Sequence, residues 1–359
     1  MEPYEAPLLP LKFALDLETK KLVKEVYFKF GEYKYALKTL KYDYKHFLDI
    51  MLFTDTLCTS NIEFQKLSKK DMFYIGYMKD EYKIRLVDNL RKSFVFGYQY
   101  VRKNEKYDLE FFNKMNKIIL KKTKIPYEEI GKLRKGNAYI MKLGLVGKNI
   151  DYVAPSAKRV KPLMKNFLKY INESNDEAFI KMAICHYQFL IVHPYTKGNG
   201  RIARILLPIE LYRIFDEEPI LFMSEVLDKH KITYRRLLNE TKTNGPLEFV
   251  KFFLKSIKEM CDINISKIEE INKIYEEDFS FLKENISGKL IYKIYPFIAK
   301  NVVFSVNDVV DGLKLHINSV NKVLKKLVEL NILIKEKNKE CNRVTYRYNK
   351  MYEIYVNEK

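Results

Sequence analysis

The chain has 359 residues, and its 65 Lys and Arg against 46 Asp and Glu give a formal net charge of +19. That length predicts two or three domains. No run approaches the roughly 18 uncharged apolar residues of a membrane-spanning helix. The proline-bearing, acidic start differs from a secretory signal, so the sequence predicts a cytoplasmic protein. The cysteines are too widely spaced to predict a zinc site or a disulfide framework.

The first third of the chain reads as helical. From about residue 17 to residue 120, apolar and charged positions alternate at helical spacing, with almost no glycine or proline. This pattern predicts an N-terminal helical module over residues 1–120. The sequence pattern changes over residues 131–153, where short apolar runs are separated by glycines. That stretch predicts a β-hairpin or flap at the start of a second segment, residues 121–260.

Two helices are predicted to frame the centre of this second segment. Asn175 is a candidate N-cap for a helix from Asp176 to about Val192, which Pro194 would stop. Another helix is expected to begin just after Gly200. Helical patterning continues beyond this segment and predicts a helical linker over residues 261–288.

The last segment, residues 289–359, reads as a small separate domain. Two helical patterns separated by a turn are followed by two β-like runs, which is the order of a winged helix-turn-helix. The segment holds 14 Lys and Arg against 7 Asp and Glu, a charge of +7. Its proportional share of the total would be about +4, so the excess is modest. Such domains bind duplex DNA or other proteins, and the basic excess favours duplex DNA as the partner of residues 305–348.

The most specific motif lies in the second segment. Gly198 and Gly200, with Asn199 between them, allow left-handed torsions, so that successive backbone N–H groups can converge on an anion. The N-terminus of the next helix points to the same place. Arg201 and Arg204 share one helical face and add two guanidinium groups. This arrangement predicts a polyphosphate site. The whole motif reads His193-Pro194-Tyr195-Thr196-Lys197-Gly198-Asn199-Gly200-Arg201-Ile202-Ala203-Arg204.

This motif resembles the signature of Fic proteins, H-P-F-x-(D/E)-G-N-G-R-x-x-R. The resemblance spans roughly residues 1–260 and is densest at 183–204. It implies a mainly α fold: a Fic-type helical core with a β-hairpin flap, joined to the N-terminal helical module and the C-terminal winged helix-turn-helix. It also implies a protein adenylyltransferase that moves AMP from ATP to a Ser, Thr or Tyr hydroxyl of a target protein or of itself.

The resemblance also implies roles for single residues. His193 would be the general base that takes the hydroxyl proton. Gly198, Asn199, Gly200 and Arg201 would hold the phosphates, Arg204 would reach the γ-phosphate, and Tyr234 would shape the adenine pocket. His186 lies seven residues before His193, and a packed core histidine is the better interpretation of it than a metal ligand.

Two positions depart from the signature. Tyr195 replaces phenylalanine and keeps an aromatic anchor. Lys197 replaces the acid that, in the family, ligates Mg²⁺ on the phosphates, and a lysine cannot ligate a hard cation. The use of Mg²⁺ and the activity itself are therefore open: the Lys197 ammonium either neutralises the phosphates directly or marks impaired catalysis.

A second motif precedes the core. Thr59-Ser60-Asn61-Ile62-Glu63-Phe64 resembles the inhibitory motif of Fic proteins, (S/T)-x-x-x-E-(G/N), with Phe64 departing from the expected residue. The resemblance implies that Glu63 forms a two-pronged ion pair with Arg204, which then cannot clasp a γ-phosphate. The competing interpretation of Glu63 is an ordinary surface glutamate.

Three functional interpretations remain open at this stage. The first is the autoinhibited AMP transferase. The second is a Fic-fold regulator that is disarmed at Lys197 and acts by binding DNA. The third keeps the enzyme but changes the transferred group to UMP or another phosphate-containing moiety, because a glycine loop recognises phosphate rather than base. Self-association, in which one copy inhibits another, also stays open.

Overall fold

A computed structural model describes residues 2–63, 68–74, 81–141, 150–216, 218, 221–337 and 343–356. The fold is mainly helical with two small antiparallel sheets, as the sequence predicted. Across these described ranges, no helix has the length and apolar content needed to cross a bilayer.

Helices dominate both ends and the centre of the chain. They are α1 Leu17–Thr39, α2 Tyr44–Ile62, α3 Lys69–Tyr74, α4 Glu81–Val101, α5 Leu109–Ile119, α6 Ala157–Glu173, α7 Ala178–Val192, α8 Asn199–Phe215, α9 Ser224–Lys229, α10 Lys231–Asn244, α11 Leu247–Asn285, α12 Ile291–Asn301, α13 Val306–Leu313, α14 Ile317–Glu329 and α15 Asn349–Val356. The strands are β1 Tyr139–Met141, β2 Ile150–Val153, β3 Val303–Phe304, β4 Leu333–Lys337 and β5 Val344–Tyr348.

The chain divides into two compact units, and the first consists of Met1–Phe30, Cys58–Lys66 and Leu86–Cys261. Its central element is α7, whose residues are buried on nearly every side. A helix that is apolar all round belongs in a core, and α7 packs against α6 and α8. The loop from α7 to α8 therefore starts and ends in rigid, buried structure.

The predicted flap is present in this unit as two antiparallel strands. Tyr139 pairs with Val153 and Ile140 with Tyr152, with an irregularity before Met141. The turn between the strands, residues 142–149, lies outside the described residues. Near the N-terminus, Pro3 forms a parallel bridge to Val153, so the start of the chain continues this small sheet.

The predicted start of α7 was wrong by two residues. The helix begins at Ala178, and its N-cap is Glu177 rather than Asn175. The Glu177 carboxylate accepts hydrogen bonds from the Phe179 and Ile180 N–H groups at 3.2 and 2.9 Å. A carboxylate at the N-terminus satisfies free N–H groups and complements the helix dipole, which an exposed asparagine two residues earlier cannot do. The predicted end is correct, since α7 stops at Val192.

The second unit consists of Gly31–Leu57, Leu67–Arg85 and Asp262–Lys359. Its C-terminal part contains α13 and α14 followed by the β4–β5 hairpin, and the three-stranded sheet has the order β3-β5-β4. Ser305 and Asp308 form a capping box at the start of α13. The elements have the order expected of a winged helix-turn-helix, and that assignment stays a prediction.

The long helix α11 crosses a boundary drawn from the sequence. It runs unbroken through residues 260 and 261, where the predicted core segment meets the predicted linker. Both units contain parts of α1, α2, α4 and α11. The division into residues 1–120, 121–260, 261–288 and 289–359 stays a prediction of domain organisation.

Candidate functional site

The loop between α7 and α8 is held tightly by its own residues. His193 ends α7 in the left-handed region, with φ 49°, and Gly198 precedes α8 with φ 89°. The buried Asn199 closes the loop on itself: its Oδ1 accepts from the Tyr195 N–H at 2.9 Å, and its Nδ2 donates to the Tyr195 carbonyl at 2.7 Å. The N-cap of α8 is Gly198, which has no side chain to cap the first N–H groups of the helix. The first turn of α8 is thus a ready anion site.

A buried asparagine on α5, which sequence reasoning missed, supports this loop from below. Asn116 Nδ2 donates to the Lys197 carbonyl at 2.9 Å, and its Oδ1 accepts from the Gly131 N–H at 2.8 Å. A Cβ on Gly198 would lie 3.3 Å from Asn116 Nδ2. The left-handed torsion and this close approach together explain the glycine at 198.

Arg134 fixes the other end of the loop and was also missed. This buried side chain donates from Nε to the His193 carbonyl at 2.7 Å and from Nη1 to the Gly136 carbonyl at 2.8 Å. Its backbone N–H donates to the Pro194 carbonyl at 2.9 Å. A cation at the C-terminus of α7 also complements the helix dipole. Arg134 therefore ties the base of the flap to the backbone of His193.

The Asn116 support gives a stability prediction. We expect Asn116→Ala to lower the free energy of unfolding by about 2–3 kcal/mol, because the buried Gly131 N–H and Lys197 carbonyl lose their partner. The matched control is Asn175→Ala, since Asn175 is exposed and caps no helix, and we expect it to change stability by less than about 0.5 kcal/mol. Urea unfolding measures both. Equal unfolding midpoints for the two variants would show that Asn116 does not stabilise the motif loop.

The His193 imidazole is set up as a neutral base. Its Nδ1 lies 3.3 Å from the Leu190 carbonyl, which can only accept a hydrogen bond. The proton therefore belongs on Nδ1, which leaves the Nε2 lone pair free. Burial is the main cause that lowers the pKa of His193 to about 4. The ring is neutral at pH 7 and able to take a proton from a hydroxyl.

Glu63 reaches both arginines of the motif. Its Oε2 lies 2.9 Å from Arg201 Nε, and its Oε1 lies 3.0 Å from Arg204 Nη2. Burial alone would raise the pKa of Glu63, but the charges of Arg201 and Arg204 lower it below the ordinary value. The carboxylate is therefore ionised. The N–H of Arg201 Nε finds no aligned acceptor, so that contact is an ion pair without a good hydrogen bond.

The Glu63 contact differs from the predicted two-pronged pair with Arg204. One carboxylate oxygen goes to each arginine, and Thr59 accepts hydrogen bonds from the same Nε–Nη2 edge of Arg204 that Glu63 contacts. Arg204 Nε donates to Thr59 Oγ1 at 2.5 Å, and Nη2 donates to the Thr59 carbonyl at 3.0 Å. Thr59 and Glu63 are four residues apart, one helical turn along the end of α2. Phe64, the departure within this motif, lies outside the described residues.

Gly200 lets this carboxylate lie close to the first turn of α8. A Cβ at that position would stand 2.6 Å from Glu63 Oε1 and 3.0 Å from Arg204 Nη1. The Glu63 carboxylate thus lies against the turn whose N–H groups are free of side-chain caps. It occupies the place that the sequence assigned to a phosphate.

Two predicted residues lie inside the core rather than at the loop surface. Tyr234 is 2% exposed, and its hydroxyl lies 2.6 Å from His186 Nε2, while His186 Nδ1 lies 3.2 Å from the Ala203 carbonyl. His186 is thus a packed, satisfied histidine, and burial lowers its pKa to about 3. The assignment of Tyr234 to an adenine pocket stays a prediction, and in this structure its hydroxyl contacts His186.

The comparisons bear on the segment that contains this loop. Residues 106–211 match the model of the Fic/DOC family. The chain contains a Fic/DOC domain. This domain holds the His193 loop with Asn116, Arg134, Arg201 and Arg204, whereas Glu63 precedes it.

Curated relatives are similar over parts of their length. The chain is 33% identical over 91 residues to a protein adenylyltransferase fic-1 of Caenorhabditis briggsae, which covers 24% of this chain and 16% of that protein. It is 26% identical over 115 residues to a protein adenylyltransferase Fic of Nematostella vectensis, covering 31% and 26%. The chain therefore spans 16% and 26% of the lengths of these two relatives.

Solved structures show that the fold is shared. A Fic family protein from Desulfovibrio desulfuricans G20 superposes with a TM-score of 0.63 at 17% identity, covering 94% of this chain and 97% of that chain. Fic-1 of C. elegans superposes with a TM-score of 0.53 at 19% identity, covering 70% and 72%. The Fic-type helical fold predicted from the sequence is confirmed.

Proposed function

We propose that this chain is a protein adenylyltransferase held inactive by Glu63. The observation that carries the proposal is the Glu63 carboxylate bound to Arg201 and Arg204 at the first turn of α8. The Glu63 carboxylate bound there indicates that the first turn of α8 can bind an anion. The neutral His193 ring lies at the other end of the same short loop. The relatives named adenylyltransferases support ATP as the substrate and a protein as the acceptor.

The proposed reaction is a displacement at the α-phosphorus of ATP. His193 Nε2 takes the proton of a Ser, Thr or Tyr hydroxyl on a target protein or on the chain itself. The hydroxyl oxygen forms a bond to the α-phosphorus, the bond to the α,β-bridging oxygen breaks, and pyrophosphate leaves. The backbone of Gly198, Asn199 and Gly200 with Arg201 would hold the phosphates, and Arg204 would bind the γ-phosphate.

Glu63 would regulate this reaction by competition. Because the Nε and Nη2 groups of Arg204 already donate to Thr59 and Glu63, that edge of the guanidinium cannot also bind the γ-phosphate, so ATP would bind in an unproductive pose. Activation then requires the Glu63 carboxylate to leave the arginines. A cytoplasmic location forms part of the same proposal.

Labelled nucleotide tests the reaction class. The Glu63→Gly protein is incubated alone with ATP labelled at the α or the γ phosphate, or with UTP labelled at the α phosphate, and protein-bound label is measured after denaturing electrophoresis. We expect label from the α position only. Label from γ would indicate a kinase, label from α-labelled UTP in preference to ATP would favour UMP transfer, and no label from any of them would overturn the transferase.

A second candidate function rests on the C-terminal part of the second unit. Lys322 and Lys325 are exposed on α14, and Lys335 and Lys337 are exposed on β4. Cations on the second helix and on the adjacent hairpin are where a winged-helix protein meets duplex DNA. If this regulator function is correct, Lys322→Gln with Lys325→Gln will weaken binding to random duplex DNA and reduce its salt dependence by about two counterions. If the double variant binds DNA with unchanged affinity and salt dependence, the DNA-binding function is ruled out.

A further inference from the structure

Lys197 makes the motif loop unsuited to hold a divalent cation. The Fic signature implies an acid here that ligates a metal, and the protein offers an ammonium group, which has no lone pair at neutral pH. Over the described ranges, no group of three or more His, Cys, Asp or Glu is arranged to hold a metal ion. The donor set of this loop therefore does not fit a protein-held Mg²⁺.

The positive charge of the site nevertheless comes within about one unit of neutralising a triphosphate. An acid with a divalent cation contributes one negative and two positive charges, which add to one positive charge. A single lysine contributes the same. With Arg201 and Arg204, Lys197 gives three positive charges once Glu63 has left, against about four negative charges on a triphosphate. The lysine thus replaces the acid and its metal without altering the electrostatic balance.

The loop also positions Lys197 to act. Its carbonyl is fixed by Asn116 at 2.9 Å, so its backbone cannot drift from the loop. The side chain is exposed, and among the described residues no carboxylate lies within the 4.0 Å of an ion pair with it. The Lys197 charge also reaches the catalytic ring, since it adds to the effect of burial in lowering the pKa of His193.

We infer that Lys197 contacts the phosphates of ATP and that AMP transfer by this chain needs no protein-held divalent cation. This inference rests on the proposed transferase function. Lys197 Nζ–H groups donate to the phosphate oxygens and stabilise the negative charge that grows on the departing pyrophosphate. No proton moves at Lys197: the target hydroxyl loses its proton to His193, as before.

The first test measures transfer of α-labelled AMP by Glu63→Gly in excess EDTA and in millimolar Mg²⁺. We expect rates within about three-fold of each other. Adding Lys197→Gln should lower the rate in EDTA at least about ten-fold, whereas adding Lys197→Asp should make transfer depend on Mg²⁺. The matched control, Lys169→Gln, removes an exposed charge on α6 and should leave the rate unchanged. Transfer by Glu63→Gly only when Mg²⁺ is present would overturn the inference and leave the transferase standing.

The second test does not depend on transfer. Calorimetric titration of Glu63→Gly with ATP in EDTA is compared with the same titration after Lys197→Gln, and each protein is also titrated with adenosine. We expect about ten-fold weaker ATP binding and unchanged adenosine binding. Equal ATP affinities would overturn the Lys197 contact. If label is transferred under no condition, the transferase fails, and this titration still decides the contact.

Discussion

We expect His193→Asn, made in the Glu63→Gly protein, to lower AMP transfer by about 10²- to 10⁴-fold. Asparagine is chosen because position 193 has a φ of 49°, a left-handed conformation that asparagine tolerates better than alanine. The substitution therefore removes the free Nε2 base while keeping the turn from α7 into the motif loop. The measurement is the initial rate of α-label incorporation at saturating ATP.

A binding measurement separates chemistry from folding in this variant. ATP affinity should stay within about three-fold, because the imidazole contributes a proton acceptor rather than a phosphate contact. His46→Ala, which alters a histidine of the second unit, is the control and should transfer AMP normally. A His193→Asn protein that binds ATP and still transfers AMP at the parent rate would exclude His193 as the base.

The low pKa of His193 also sets the pH dependence. A histidine of ordinary pKa, about 6.5, would gain neutral form and raise kcat/KM about four-fold between pH 6 and pH 8. Since burial lowers the pKa of His193 to about 4, the ring is already neutral across that interval, and we expect kcat/KM to change less than about two-fold. The rate should fall only as the pH approaches 4. Glu63 acts to raise this pKa, so its removal cannot bring the titration back to pH 6.5.

The second large effect is expected from removing the Glu63 carboxylate, which releases Arg201 and Arg204. Glu63→Gly should raise self-AMPylation by about 10- to 100-fold, because it breaks charged contacts to Arg201 and Arg204 worth about 1.5–3 kcal/mol in the inactive pose. Arg204 then has a free donor for the γ-phosphate, while Thr59 still orients its Nε. Incorporation of α-label per mole of protein gives the result directly.

The control for Glu63→Gly is Glu173→Gly, which removes an exposed carboxylate at the end of α6. Its label incorporation should equal that of the unaltered protein. If Glu63→Gly and Glu173→Gly incorporate the same low amount, Glu63 is a structural ion pair and the regulatory proposal is wrong.

Local patterns predicted the elements of this fold well. The helix before the motif and the two flap strands were predicted from apolar spacing and glycine placement. The start of α7 was misplaced because a glutamate at the N-cap competes with the asparagine that sequence rules prefer. The sequence predicted a segment boundary inside α11, although the helix is continuous. A continuous helical pattern does not show where one compact unit ends and the next begins.

The site was predictable only as far as its motif extends. The motif named His193 and both arginines, but Asn116 and Arg134 act on backbone carbonyls far along the chain, and such contacts leave no pattern in a sequence. The contact of Thr59 with Arg204 could have been predicted, since Thr59 opens the inhibitory motif and precedes Glu63 by one helical turn, so that both lie on the same face. The contact from Glu63 to Arg201 depended on Gly200, whose missing side chain admits the carboxylate.

The most direct test of the central claim is a crystal structure of the Glu63→Gly protein with a non-hydrolysable α,β-methylene analogue of ATP. We expect the phosphates at the first turn of α8, bound by Arg201 and Arg204, with the α-phosphate facing His193 Nε2. A nucleotide bound away from this turn, or an α-phosphate that does not face His193 Nε2, would contradict the proposed transferase site.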